Sequence, residues 1–317
     1  MRGGRIKYGK TRADSGKAAV GRAAIGAGGI VGEKAVLAVL AVALVVLALA
    51  SLTVGNYDMT VPEILQVVGR ALGGSAAEGD NGMVVLLIIR LPRILLAALV
   101  GAALAASGAA YQGMFRNPMV SPDILGVSSG AAVGAAFALL FALPSALVHG
   151  VSFLCGLGAV ALVLAIAQVF GKGSNSLVVI ILAGTVMSST FQAIVSLVKY
   201  IADPDDTLPQ ITYWLMGSFA RSGNQDNVLY MAAILVVAGG VLIAMRWRIN
   251  ALSFGEEEAQ TLGLNIKRTR FVVIVAATLL TSATVCLCGS IGWVGLIIPH
   301  MSRLVVGPNY KSLLPVS

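Results

Sequence analysis

Residues 90–134 read RLPRILLAALVGAALAASGAAYQGMFRNPMVSPDILGVSSGAAVG. Arg90 and Arg93 open an apolar run rich in Gly, Ala and Ser, Arg116-Asn117-Pro118 breaks it, and a second small-residue run resumes at Pro122. In lipid, burying one apolar helix against another brings no hydrophobic gain, so helices associate through close backbone approach, which small residues permit. Gly101, Ala105, Gly108 and Gly113 supply such a surface on the first run, and Gly126, Gly130 and Gly134 recur at four-residue spacing on the second. The stretch reads as two membrane helices built for close packing, although small-residue spacing by itself fits any polytopic helix pair.

The rest of the chain agrees with a bilayer environment. Of 317 residues 57% are hydrophobic and 11% charged, which lies outside the range of a soluble domain. The net charge of +8 does not point to nucleic acid, because Arg2, Arg5, Lys7, Lys10, Arg12, Lys17 and Arg22 crowd the first segment against Asp14 and Glu33. A basic tail before an apolar helix places the N-terminus in the cytoplasm and offers at most a contact with anionic membrane lipid. Residues 1–34 are therefore read as a basic cytoplasmic tail and 35–317 as the transmembrane domain. The run from Ala35 to Val54 has spanning length and is too long for the apolar region of a signal peptide.

Taken in order, a polar, net acidic loop over 55–83 lies outside, and the second helix runs inward from Val84 to Met114. The third covers Pro122–Leu140, the fourth Ala146–Phe170 and the fifth Leu177–Ile201, with a turn of helix breakers at 171–176. Tyr213 and Trp214 mark a short interfacial segment near 210–220, and the sixth helix covers 228–245 before an Arg246-Trp247-Arg248 anchor. Residues 250–270 are polar, with a short helix opened by Glu256, Glu257 and Glu258, whose charge complements the helix dipole, and closed by Gly263. A seventh helix spans 271–287, and a Gly-rich break at 289–295 leads into a short eighth. Two units of opposite orientation share one pattern: a basic cluster, a small-residue helix, a break containing Gly and Pro, and a short helix. That is the mark of an inverted repeat. Cys155, Cys286 and Cys288 lie in apolar segments away from His149 and His300, so they read as small buried hydrophobes, and neither a metal site nor a cofactor is expected.

RLPR, GAALAASGAAYQGMFRNP and SPDILGVSSGAAVGA resemble the second and third helices of FecCD family permeases, the membrane subunits of ABC importers for ferric siderophores, haem and cobalamin. GSIGWVGLIIPHMSRLVVG is a second stretch similar to that family; Asn117, Pro118, Gly292, Pro299 and His300 are the positions that carry the two motifs. The resemblance implies an all-α, inverted-repeat type II importer fold, with about eight transmembrane helices of an expected ten, so that the chain reads as ending before the last two. It also implies that Arg90 and Arg93 form salt bridges with glutamates of an extracytoplasmic substrate-binding protein. Their spacing of one helical turn allows both to project from one face, and a guanidinium engages a carboxylate through two hydrogen bonds. By itself the pair also fits an interfacial anchor.

By the same resemblance, 250–270 is the cytoplasmic coupling loop that docks an ATPase, with Gly255, Glu256, Glu257, Glu258, Ala259, Leu262 and Gly263 at its heart. Glu258 stands where the family pattern has Ala. The pathway lies between two copies of the chain, a homodimer, lined by Thr185, Ser188, Ser189 and Gln192 of the fifth helix, with Ser174 and Asn175 as an inner gate. The cargo expected is a ferric siderophore, with haem and cobalamin as alternatives. No catalytic residue is assigned.

The chain holds no Walker-type phosphate loop, and its apolar helices carry almost no charge, Lys199 lying near an outer end and Arg303 near an inner one. Both observations favour energy supplied by a partner ATPase. Two other classes remain: a secondary, ion-coupled carrier, and a membrane-embedded interaction or structural protein.

Overall fold

The apolar runs become helices because lipid offers no partner to a backbone amide, and a helix satisfies its amides within one segment. In a computed structural model, residues 29–73, 81–171 and 176–317 are described, and among them there is no strand. The chain divides into residues 1–45, described only for the opening of the first helix, and a second unit, Val46–Ser317, which contains every feature discussed below.

The elements are α1 (Gly29–Thr53), α2 (Val61–Leu72), α3 (Asn81–Phe115), α4 (Val127–Leu140), α5 (Ser145–Phe170), α6 (Ser176–Ile201), α7 (Thr207–Met216), α8 (Gln225–Phe254), α9 (Glu256–Thr261), α10 (Ile266–Cys288), α11 (Val294–Val306) and α12 (Tyr310–Val316). Six of them hold spans long and apolar enough to cross a membrane: α1, α3, α5, α6, α8 and α10. α4 and α11 are apolar but have only 14 and 13 residues, about 20 Å at 1.5 Å per residue, so neither crosses a bilayer core unaided. The third helix expected from Pro122 is in fact a 3-10 turn, Pro122–Leu125, then a left-handed Gly126, then α4. The sixth helix runs on past its expected end at Met245 to Phe254, since the long stems of Arg246 and Arg248 can carry their charges toward the interface without breaking it.

α2 lies within the region read as a loop. Its signal was present: Thr60 and Glu63 form a reciprocal capping box, with Glu63 Oε2 accepting from the Thr60 amide at 2.7 Å and its hydroxyl at 2.8 Å. Ile64 and Val67 then bury against Met59 and Leu86. The two Thr60 donors hold the Glu63 carboxyl below its usual range.

The centre of the bundle is α10, of which 78% of the apolar window is buried, against 17–28% in α3, α5, α6 and α8. Its hydroxyls tie neighbouring helices together: Thr278 Oγ1 meets the Tyr111 hydroxyl at 3.0 Å, Thr281 Oγ1 donates to Ser107 at 3.2 Å, and Ser282 Oγ donates to the Phe153 carbonyl at 2.8 Å. Cys286 and Cys288 are buried in the same helix.

The two small-residue helices do pack closely, but chiefly against other partners than each other. A Cβ on Gly108 would fall 1.7 Å from the Gly295 carbonyl oxygen of α11, and one on Gly113 would fall 2.6 Å from Ile249 and Tyr310. Gly130 and Gly134 face α5, where Ala159 Cβ and Cys155 Cβ lie 2.4 and 2.8 Å from the added carbon. Gly101 meets nothing within 4 Å and is no part of the packing surface. Gly108→Val should therefore destabilise the folded chain by about 1–3 kcal/mol or more, while Gly101→Ala should leave it unchanged. Thermal unfolding of the detergent-solubilised variants checks this, and equal melting temperatures would contradict a backbone contact between α3 and α11.

Candidate functional site

At one end of the bundle lie the features expected on the cytoplasmic side. Gly255 joins α8 to α9, and a Cβ there would fall 1.8 Å from Glu258 Oε2, so any side chain would displace that carboxylate. Glu256, Glu257 and Glu258 form the first turn of α9, Ala259 is buried against Leu252 and Ile266, and Gly263 ends the turn with φ +77°. Leu262 is 58% exposed. Glu256 pairs with Arg270 of α10 at 2.5 Å, which fixes α9 to the foot of the central helix. Beside it, a pocket of about 420 Å³ is lined by Arg116, Asn117, Pro118, Phe254, His300 and Arg303. Asn117 and Pro118 from one motif thus meet His300 from the other, next to the residues that enter α9. Pro299 is buried within α11, and Gly292 lies exposed in the break before it.

At the opposite end, Arg90 and Arg93 do not present a matched pair. Arg93 is exposed, but Arg90 is only 8% exposed and its guanidinium donates to the carbonyls of Leu52 and Tyr57. Leu52 lies in the last turn of α1, where carbonyls have no partner within the helix, so a cation there satisfies both the orphan acceptor and the negative end of the dipole. Gly55 makes room: a Cβ there would fall 2.6 Å from Arg90 Nη2. The sequence spacing put both arginines on one face. What it could not show is that the chain leaving α1 folds back over one of them, just after a π-helical turn at Val84–Arg90.

α6 carries the expected polar face. Thr185, Ser189 and Gln192 are exposed and fall on one stripe that continues to Ser196. The Thr185, Ser189 and Ser196 hydroxyls donate to carbonyls one turn back, at 3.0, 3.1 and 2.9 Å. Their protons are thereby used within the helix, and only lone pairs face outward. Ser188 turns instead toward α4, its Oγ 3.0 Å from where a Gly126 Cβ would stand. Ser174 and Asn175 lie outside the described residues. Upper α6 borders a polar furrow of about 330 Å³ that includes Ser128, Gln192, Ser196, Lys199 and Ser290.

Two residues escaped the sequence reading. Asp123, in the 3-10 turn before α4, accepts from the Ser128 hydroxyl, while its own amide is capped by Ser121. The Ser-Pro-Asp spacing was a visible cap signal. Arg221 sits exposed in the short loop between α7 and α8, and partial desolvation of its guanidinium lowers its pKa from the ordinary value. Nothing in its local sequence distinguishes it from a surface arginine.

The chain as a whole is similar to known proteins. Residues 43–317 match the FecCD transport family. The chain belongs to that family. It is 42% identical over 273 residues to the molybdate import system permease of Haemophilus influenzae, covering 86% of this chain and 80% of the relative. It is 35% identical over 291 residues to the hemin transport system permease of Yersinia pestis, covering 90% and 84%. A transporter assigned to the metal-chelate ABC type, solved in an inward-facing conformation, superposes with a TM-score of 0.79 at 39% identity, covering 89% of this chain and 85% of that one. This FecCD protein is thus a multi-pass, all-helical permease of the ABC importer class, and its relatives carry different cargoes.

The unequal environments of the two arginines give a direct test. Arg90→Ala strands two carbonyls and should cost about 1–3 kcal/mol of stability, read as a lower melting temperature, and Gly55→Ala should act in the same direction. Arg93→Ala should leave the melting temperature unchanged. The reverse order would show that Arg90 is not the residue that closes α1.

Proposed function

We propose that this FecCD permease works as a homodimer that passes an anionic, metal-bearing cargo inward, loaded by an extracytoplasmic binding protein and driven by a separate ATPase subunit docked on α9. The N-terminus and the coupling loop 250–270 then lie in the cytoplasm, with Arg93 facing the binding protein. Arg90 contributes to docking by holding the end of α1 in place beside Arg93. The two cargoes that fit are a ferric siderophore, the expectation from sequence, and molybdate, for which a 42% identical relative is named.

The observation that carries the cargo reading is Lys199. It lines the furrow on the hydroxyl-bearing side of α6 and has no carboxylate within ion-pair distance among the described residues. A lone cation among neutral hydroxyls and an amide attracts an anion without holding it through many donors, which suits passage better than retention. Asp123 lies at the α4 end of the same region, where its carboxylate accepts from Ser128 and makes no ion pair with Lys199.

The test is uptake into liposomes containing the chain with its ATPase, supplied with the binding protein of the same system and offered molybdate, a ferric siderophore, haem and cobalamin in turn. ATP-dependent uptake of one of the two anionic cargoes is expected, and Lys199→Glu should slow it about tenfold, the effect of one close charge. Uptake that ignores the Lys199→Glu change would remove the anion reading. Uptake that survives ATP depletion and collapses with an ion gradient would make the chain a secondary carrier. Gly263→Pro, which cannot adopt φ +77°, should lower uptake per ATP hydrolysed while leaving the ATPase able to turn over.

A further inference from the structure

A cavity of about 500 Å³ plays no part in the proposed pathway. It lies at the end of the bundle away from α9, between the end of α4, the starts of α5 and α8, and α7, and its walls include His149, Gln210, Tyr213, Trp214, Arg221 and Asn224. No carboxylate lines it. Asp206 stands near Gln210, but its Oδ1 is already bonded to the Gln210 amide at 2.7 Å.

Four features converge on a negative guest. Arg221 has no ion-pair partner among the described residues. Trp214 is 3% exposed, and its indole Nε1–H has no acceptor there, a costly state for a buried donor. α5 and α8 begin at the cavity and turn positive dipole ends toward it, although the Leu147 and Val148 amides already bond the Pro144 carbonyl, Asn224 caps the Asn227 amide, and Asp226 stands in the first turn of α8. The loop that carries Arg221 is also fixed, because the Ser218 amide donates to the Cys288 carbonyl at 2.7 Å and the Ser222 hydroxyl to that of Leu287. The backbone on either side of Arg221 is therefore anchored, while its side chain is exposed and free to meet a guest.

The surroundings say what bears the charge. From the cavity, α5 runs into the membrane with Leu147 and Leu154 exposed on one side, and α8 does so with Leu229 and Val236, each pair spaced by two turns. Phe141 and Tyr213 near the cavity are both 68% exposed, and exposed aromatic rings are enriched at membrane–water boundaries. A cationic pocket between helices at headgroup depth, continued by apolar helix sides, matches a lipid in shape and polarity.

We propose that this pocket seats the phosphate of an anionic phospholipid headgroup, with Arg221 as its charge partner and the acyl chains lying along the exposed sides of α5 and α8. In the orientation proposed above this is the outer leaflet. The site itself does not depend on which cargo is carried, nor on transport at all.

The full chain, purified and stripped of lipid, would be titrated with dioleoyl phosphatidylglycerol and separately with dioleoylglycerol, which has the same chains without the phosphate. Retained lipid is counted by native mass spectrometry and thermal stability is measured in parallel. The wild-type chain should retain phosphatidylglycerol in preference to dioleoylglycerol, and Arg221→Gln should weaken that retention about tenfold, as expected for the loss of one charge-assisted contact. Arg221→Lys keeps the charge and should stay within a few-fold of wild type, which separates loss of the site from loss of the fold. Equal retention by wild type and Arg221→Gln would overturn the proposal. So would full displacement by millimolar glycerol phosphate, which would make this a site for a free anion, or an Arg221→Gln variant that keeps its lipid but loses the binding protein, which would make it a docking site for a carboxylate.

Discussion

A carbonyl oxygen stands where Gly108 would carry its side chain. That approach brings α3 and α11 to backbone contact, and the same Gly295 packs against Leu104 and Pro122, so a Cβ on it would fall 2.7 Å from the Leu104 oxygen and 2.5 Å from Pro122. Three segments thus cross at one point: the long α3, the start of α11 and the 3-10 turn that leads into α4. Neither α4 nor α11 is long enough to cross the bilayer, and each begins with backbone that no preceding helical turn satisfies. Such irregular backbone is tolerated at membrane depth only where protein covers it. The crossing supplies that cover, and only residues without side chains let it close.

The polar residues at the two ends are placed by the same requirement. Arg90 is drawn inward because α1 ends in carbonyls that need a donor, and Glu256 binds Arg270 because α9 is too short to hold its own place. Each charge is spent on positioning a neighbour. Arg93 at one end, Leu262 at the other and the hydroxyl stripe of α6 between them stay exposed.

Much of this was legible in the residues. The spans, the breaks at Pro118 and Gly289–Gly295, the short helix from Glu256 and its stop at Gly263 all follow from length, breaker residues and dipole rules that act locally. Partner choice was not legible, because small-residue spacing states that a helix will be approached without stating by what; Gly130 and Gly134 met α5, and Gly101 met nothing. Arg90 shows the same limit, since its burial depends on a chain reversal 33 to 38 residues earlier. Arg221 was invisible for a related reason: its setting is made by α4, α5, α7 and α8 together, and none of them carries a signal for it in sequence.

α10 joins the two ends. Its first turns hold Arg270 against Glu256, its middle is tied by hydroxyls to α3 and α5, and its last carbonyls receive Ser218 and Ser222 from the loop at the far end. Beyond Cys288, Gly289 adopts φ +74° and packs so closely on Gly217 that a Cβ there would fall 2.8 Å from its Cα. A helix anchored along its whole length cannot bend at one end and leave the other in place, since packed interiors yield as units and not by continuous deformation. A push on α9 therefore reaches the 217–224 loop as a shift of α10 together with the helices bonded to it, or it does not reach that loop at all. The alternative, a local flexing of α9, would have to break the Glu256–Arg270 pair and uncover Ala259, which is fully buried. The geometry favours motion of the bundle as a body over motion of the loop alone.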